Sequence, residues 1–158
     1  MGVAADRVHA LLRERDATVA TAESLTGGQL AAALTAVPGA SATYVGGVVA
    51  YATSVKQEVL GVPDAVVSGP GVISSECALA MARGVVALTG ATYGVSTTGV
   101  AGPDRQEGHP PGVVHLGLVG PGVASAVALE LVGDRATITR RTVEEALTAL
   151  ADLLGVDE

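Results

Sequence analysis

The sequence predicts a single α/β domain over residues 1–158, folded as a three-layer α/β/α sandwich around a mixed sheet. Three observations predict it. Strand-like runs alternate with helix-patterned ones over the first hundred residues, the rhythm of parallel strands joined by crossover helices. Two late runs, residues 113–119 and 122–131, meet at a Gly120-Pro121 corner and so pair as an antiparallel hairpin. The chain is 49% hydrophobic yet has no Phe and no Trp, so its core is built from Ala, Val and Leu, which suit closely packed layers of helix on sheet.

Each element has a local reason. Residues 3–15 form an amphipathic helix, with Val8, Leu11 and Leu12 on one face. Residues 17–22 read as a short buried strand. Thr26 then caps a helix running to about Ala36, and Pro38-Gly39 ends it. Residues 43–51 form a second strand, in which Gly46-Gly47 marks a bulge or a close backbone approach. Ser54 and Gln57 have capping-box spacing, opening a short helix to about Leu60. Gly61, Pro63 and the Ser68–Gly71 cluster read as loop. Ser74 or Ser75 caps a helix to about Leu88, closed by Gly90. Residues 92–98 are the third strand, and residues 99–111 are a loop rich in glycine and proline. Asp134 caps the last helix, which runs to about Leu154.

Charge and composition exclude several function classes. A net charge of −7 with only nine thinly spread cations argues against nucleic-acid or membrane-surface partners, while leaving room for one small phosphate. Cys77 is the only cysteine, so no internal disulfide forms, as expected of a cytoplasmic protein. The first residues carry charges every few positions and no apolar signal core, and no apolar run is long enough to cross a bilayer. His9, His109, His115 and Cys77 have no metal-ligand spacing.

Eight of the nine cations are arginine, and Lys56 is the only lysine. Lysine can do what arginine cannot, which is to lose its proton near neutral pH. Retention by chance on a solvated helix face is the plainer reading, and composition does not choose between the two.

Three strand-to-helix or strand-to-loop junctions carry polar residues that packing does not demand, at the strand ends where α/β sheets gather ligands. In the first, Glu23 to Gly28, Ser24 is either a nucleophile or a turn former. Thr26 as cap would place Gly27 and Gly28 in the first helical turn, leaving free N–H groups for an anion or a developing oxyanion. In the second, Tyr51 to Lys56, Lys56 falls in a first helical turn, where the dipole disfavours its charge. As a free amine it would serve a serine hydroxyl as base. Tyr51 is either a proton relay, a stacking partner for a flat ring, or a strand-end core residue. In the third, Thr97 to Arg105, Thr97, Thr98 and the backbone from Gly99 to Gly102 are suited to a carbonyl, ribose or phosphate, although no P-loop or dinucleotide fingerprint is present. Asp134-Arg135 reads as a helix cap with its neighbour.

The segments TAESLTGGQLAAALTAVPGASATYVGGVVAY, VKQEVLGV, GVSTTGVAGPD and VGDRATITRRT together resemble the CinA C-terminal domain family, which includes stand-alone nicotinamide-nucleotide amidases. The resemblance covers nearly the whole chain. It implies an α/β/α fold, self-association into a homo-oligomer, and hydrolysis of the carboxamide of nicotinamide mononucleotide to nicotinic acid mononucleotide and ammonia, with no metal or organic cofactor. It implies Ser24 as nucleophile, Lys56 as its base and Tyr51 beside them. Glu23, Thr26, Gly27, Gly28, Thr98, Gly99, Ala101, Gly102 and Arg140 are then the substrate contacts, Arg140 meeting the phosphate. Ala52-Thr53, Arg105-Gln106, Val113 and Thr139 depart from the family pattern, which carries arginine at the last of these. The resemblance places these departures on the pocket rim. They keep open a second expectation, a regulatory module that binds a nucleotide without hydrolysing it.

Overall fold

The computed structural model describes residues 2–156 and contains one five-stranded mixed sheet flanked by helices. In chain order the elements are α1 (Gly2–Glu14), β1 (Val19–Glu23), α2 (Gln29–Thr35), β2 (Tyr44–Val49), α3 (Thr53–Glu58), α4 (Asp64–Ser68), α5 (Ser75–Thr89), β3 (Tyr93–Gly99), β4 (Val113–Gly120), β5 (Val123–Glu130) and α6 (Arg135–Gly155). The strand order is β2-β1-β3-β4-β5. β1 is parallel to both β2 and β3, while β3–β4 and β4–β5 are antiparallel. The expected mixed three-layer sandwich is thus the observed one. No helix among the described residues is long and apolar enough to cross a membrane.

Alternation along the strands assigns side chains to two cores. Val19 of β1 and Val95 of β3 join Leu12, Leu30, Leu34, Ile138 and Leu147 on the face covered by α1, α2 and α6. Ala20 and Ala22 point the other way, to Cys77, Met81 and Val85 of α5. The small residues of the sheet let α5 sit close. A Cβ at Gly117 would run into the Ala78 carbonyl, and Ser96 donates to that same oxygen.

Several local expectations need correction. Thr26 does not cap α2. The N-cap is Gly28, at φ 101°, a left-handed conformation that glycine takes without strain, and it offers no side-chain bond. Gly27 and Gly28 therefore lie in the turn before the helix and not in its first turn. The Ser54–Gln57 capping box is also not formed. α3 begins at Thr53 after Ala52, and Gln57 donates to Asp64 Oδ1 at 2.7 Å. Pro63 at the cap position and Asp64 in the first turn support a one-turn helix, α4, in what reads as loop. The β2 bulge is present: Val19 pairs with Tyr44 and Ala20 with Gly46, so Val45 is skipped. Ser74 and Asp134 cap α5 and α6 as expected, accepting from the N–H of Cys77 and of Thr137.

Candidate active site at the carboxyl ends of the parallel strands

β1 and β3 run parallel and release their chains at one rim of the sheet. Ser24 follows β1 directly, and its N–H donates to the Thr97 carbonyl of β3 at 2.9 Å. β2 ends at Val49, and the chain turns through Ala50 and Tyr51 into α3, which carries Lys56 back toward the sheet. The two residues meet: Lys56 Nζ lies 2.9 Å from Ser24 Oγ. It also donates to the carbonyls of Ala50 (2.8 Å) and Tyr51 (3.3 Å).

This arrangement suits a neutral amine. Two N–H groups are used by two carbonyls, and the lone pair is left for the serine hydroxyl. Lys56 is 2% exposed and makes no salt bridge among the described residues, so burial pushes its pKa below the ordinary lysine value. The Glu107 carboxylate pulls the other way, by less than burial pushes. The cause is therefore desolvation; Lys56 is the fourth residue of a six-residue helix, too short for the dipole to dominate. Burial pushes the Cys77 thiol up to about 11, so it stays protonated at neutral pH and offers no rival nucleophile.

Glu23 is not a pocket residue. It is 1% exposed, and both carboxylate oxygens are occupied. Oε1 accepts from Thr26 Oγ1 (2.6 Å) and Leu30 N (2.8 Å), and Oε2 accepts from Ala31 N (3.1 Å). Glu23 thus caps α2 from outside the helix, taking the amides of Leu30 and Ala31 in its first turn. Within the turn, the N–H groups of Leu25, Thr26 and Gly28 have no protein partner among the described residues. These are the free donors beside Ser24.

A cleft of about 350 Å³ opens over Ser24, lined by Leu25, Tyr51, Gly99, Ala101, Gly102 and Arg135, among others. A wider hollow of about 680 Å³ adjoins it and shares Leu25, Tyr51 and Arg135, with Gly27 and Thr139 also in its lining. Gly99, Ala101 and Gly102 thus line the cleft and Gly27 the wider hollow. Thr98 lines neither. Its hydroxyl donates to Val72 O at 2.6 Å, on the α5 side of the sheet, so it packs the loop before α5 and faces away from the cleft. Tyr51 reaches Lys56 through its main-chain oxygen, while its half-exposed ring borders both hollows, placed for stacking and not for proton relay. Arg140 lines neither hollow; it lies 3.7 Å from Glu144 along the exposed face of α6.

Two arginines line the cleft, Arg105 and Arg135, and Arg135 is the one that reads from sequence as a mere neighbour of a cap. Its Nη1 donates to Gly102 O (2.6 Å) and its Nη2 to Tyr51 Oη (2.7 Å), tying both walls of the cleft to the start of α6. Both acceptors are neutral, so its charge is available to an anion. No group of three or more His, Cys, Asp or Glu among the described residues is placed to hold a metal ion.

Fold and site together define an α/β/α domain with a buried serine–lysine pair opening into a cleft at the carboxyl ends of parallel strands. The profile of the CinA C-terminal domain matches residues 3–154, and the chain belongs to that family. A CinA-like protein from Frankia casuarinae is 50% identical over 145 residues, 92% of this chain and 34% of that protein. A putative competence-damage inducible protein from Geobacillus kaustophilus is 46% identical over 147 residues, 92% of this chain and 36% of its own length. The chain thus spans about a third of the length of these relatives. Among solved structures, the competence damage-inducible protein A from Klebsiella pneumoniae superposes with a TM-score of 0.95 at 33% identity, covering 99% of this chain and 98% of that one. A CinA superfamily protein from a second Klebsiella pneumoniae strain gives 0.94 at 32%, covering 97% and 96%.

Proposed function

We propose that the domain is a serine amidohydrolase that deamidates nicotinamide mononucleotide to nicotinic acid mononucleotide and ammonia. The observation that carries this is the 2.9 Å contact between Lys56 Nζ and Ser24 Oγ, with the amine buried and held by carbonyls alone. Lys56 accepts the Ser24 proton as Oγ bonds to the carboxamide carbon. The free N–H groups of the Leu25–Gly28 turn meet the oxyanion. The C–N bond then breaks, and the proton held by Lys56 leaves with ammonia. Water, deprotonated by Lys56, hydrolyses the acyl ester and returns Ser24.

Support for the substrate class is coarser. The cleft is small enough for one nucleotide, Tyr51 offers an aromatic face, and Arg135 offers a phosphate partner. Neutralising Arg135 as Arg135→Gln is expected to raise KM about tenfold or more, with a smaller change in kcat. Steady-state kinetics across substrate concentrations measure it. An unchanged KM would remove Arg135 from phosphate binding.

The direct test incubates the pure protein with nicotinamide mononucleotide and assays ammonia; release is expected. A second reading, a binding module without turnover, is favoured by one observation: Thr139 borders the outer hollow where the family pattern places arginine. Thermal stabilisation by the nucleotide with no ammonia would select that reading.

A further inference from the structure

The most enclosed carboxylate of the site faces neither hollow. After β1 the chain turns through Ser24–Gly28, and that turn has little stiffness of its own. It includes Gly27 at φ 55° and Gly28 at φ 101°, and only two backbone bonds close it internally, Gly27 N to Ser24 O and Gln29 N to Thr26 O. A serine on so loose a turn would wander, and a misplacement of about 1 Å costs about 10²-fold in rate.

What pins the turn is a ring of side-chain bonds. The Thr26 hydroxyl donates to Glu23 Oε1 at 2.6 Å. Its single proton is then committed, so the 2.8 Å bond between Thr26 Oγ1 and Thr97 Oγ1 is donated by Thr97. Thr97 in turn receives Ser24: its carbonyl accepts from Ser24 N at 2.9 Å, and its hydroxyl oxygen lies 3.4 Å from the same nitrogen. The circuit runs from Ser24 to Thr97, Thr26, Glu23 and back along the chain to Ser24. Glu23, Thr26 and Thr97 are each no more than 1% exposed, so water does not compete for these bonds. Glu23 anchors the circuit, since its carboxylate is fixed by two amides at the start of α2 and bonds Thr26 as a charged acceptor.

We infer that Glu23, Thr26 and Thr97 form a positioning relay that sets the Ser24 hydroxyl for attack. Glu23 governs the reaction through Thr26 without touching the substrate. The inference rests on Ser24 being the nucleophile, as read above.

Thr26→Val tests it, because valine keeps the shape, removes the hydroxyl and leaves both amide bonds to Glu23. Thr26→Ser restores the hydroxyl. Two readouts are used on the full chain: kcat and KM for nicotinamide mononucleotide, and the rate at which an alkyl fluorophosphonate labels Ser24, followed by mass spectrometry. The second needs no knowledge of the natural substrate. Thr26→Val is expected to lose about tenfold or more in both kcat and labelling rate, with KM little changed, and Thr26→Ser to recover to within about threefold of wild type. Wild-type labelling and turnover in folded Thr26→Val would overturn the relay, as would a folded Thr26→Ser as impaired as the valine variant. If Thr26→Val does not fold, Thr97→Val with Thr97→Ser as its rescue carries the same test. Wild-type protein labelled at Ser24 but releasing no ammonia would discard the amide substrate and leave the relay to be judged by labelling. Wild-type protein not labelled at Ser24 would overturn both.

Discussion

Ser24→Ala is expected to abolish ammonia release, lowering kcat by at least about 10⁴-fold, with the fold intact. The loss is large because no other group takes over the covalent step. Cys77 is buried and protonated, and the Thr26 and Thr97 hydroxyls are committed to each other and to Glu23. What survives is binding and the turn's N–H donors, which in serine hydrolases leave a small residual rate. Stability should change little. Ser24 keeps its backbone bond to Thr97, and Lys56 keeps both carbonyl acceptors. Ammonia assays and thermal denaturation on the same preparation measure both halves. Turnover within tenfold of wild type would remove Ser24 from the chemistry.

Lys56→Arg is expected to lose about 10²–10⁴-fold in kcat, the ordinary worth of a general base, because a guanidinium does not accept the proton. The wild-type rate should rise with pH as Lys56 becomes neutral and then level off. Because burial lowers its pKa, the midpoint lies below the ordinary lysine value of 10.5. A stability prediction follows from the same burial. Between the folded pKa and 10.5 the unfolded chain holds a proton at Lys56 that the folded chain does not, so stability rises with pH across that window. Below the folded pKa both states are charged and the full burial penalty is present. Lys56→Met carries no such penalty. It should be inactive yet melt higher than wild type at neutral pH, with the gap closing as pH approaches 10.5. Melting curves of both proteins across alkaline pH provide the check. A methionine variant less stable than wild type throughout would mean that the three Nζ bonds outweigh desolvation.

The fold was legible because it rests on local periodicity. The alternation of strands and helices, the late hairpin and the caps at Ser74 and Asp134 all follow from residues within a few positions of one another. The site was legible where motif residues end up adjacent, as Ser24 and Lys56 do. Three assignments failed, two of them for reasons of direction. Thr97 and Thr98 are consecutive on β3, so they point to opposite faces, and only Thr97 joins Ser24. Strand alternation contains that signal. Arg140 and Arg135 both belong to α6, but only Arg135, at its first residue, reaches the cleft, while Arg140 pairs along its own helix. Glu23 capping a helix that begins six residues later has no local signature, because the glycine turn that permits it gives no register. Local capping rules pointed to Thr26 instead, whose hydroxyl is drawn to Glu23.

The direction of the strands also divides the molecule into a working end and a handling end. β1 and β3 finish beside Ser24 and Thr97, β4 starts from that rim and β5 returns to it, delivering Arg135 at the head of α6. The Pro121-Gly122 corner between β4 and β5 therefore projects from the opposite edge of the sheet. That corner is the place to graft a fluorophore or surface tether, since an attachment there leaves the catalytic mouth open to solvent.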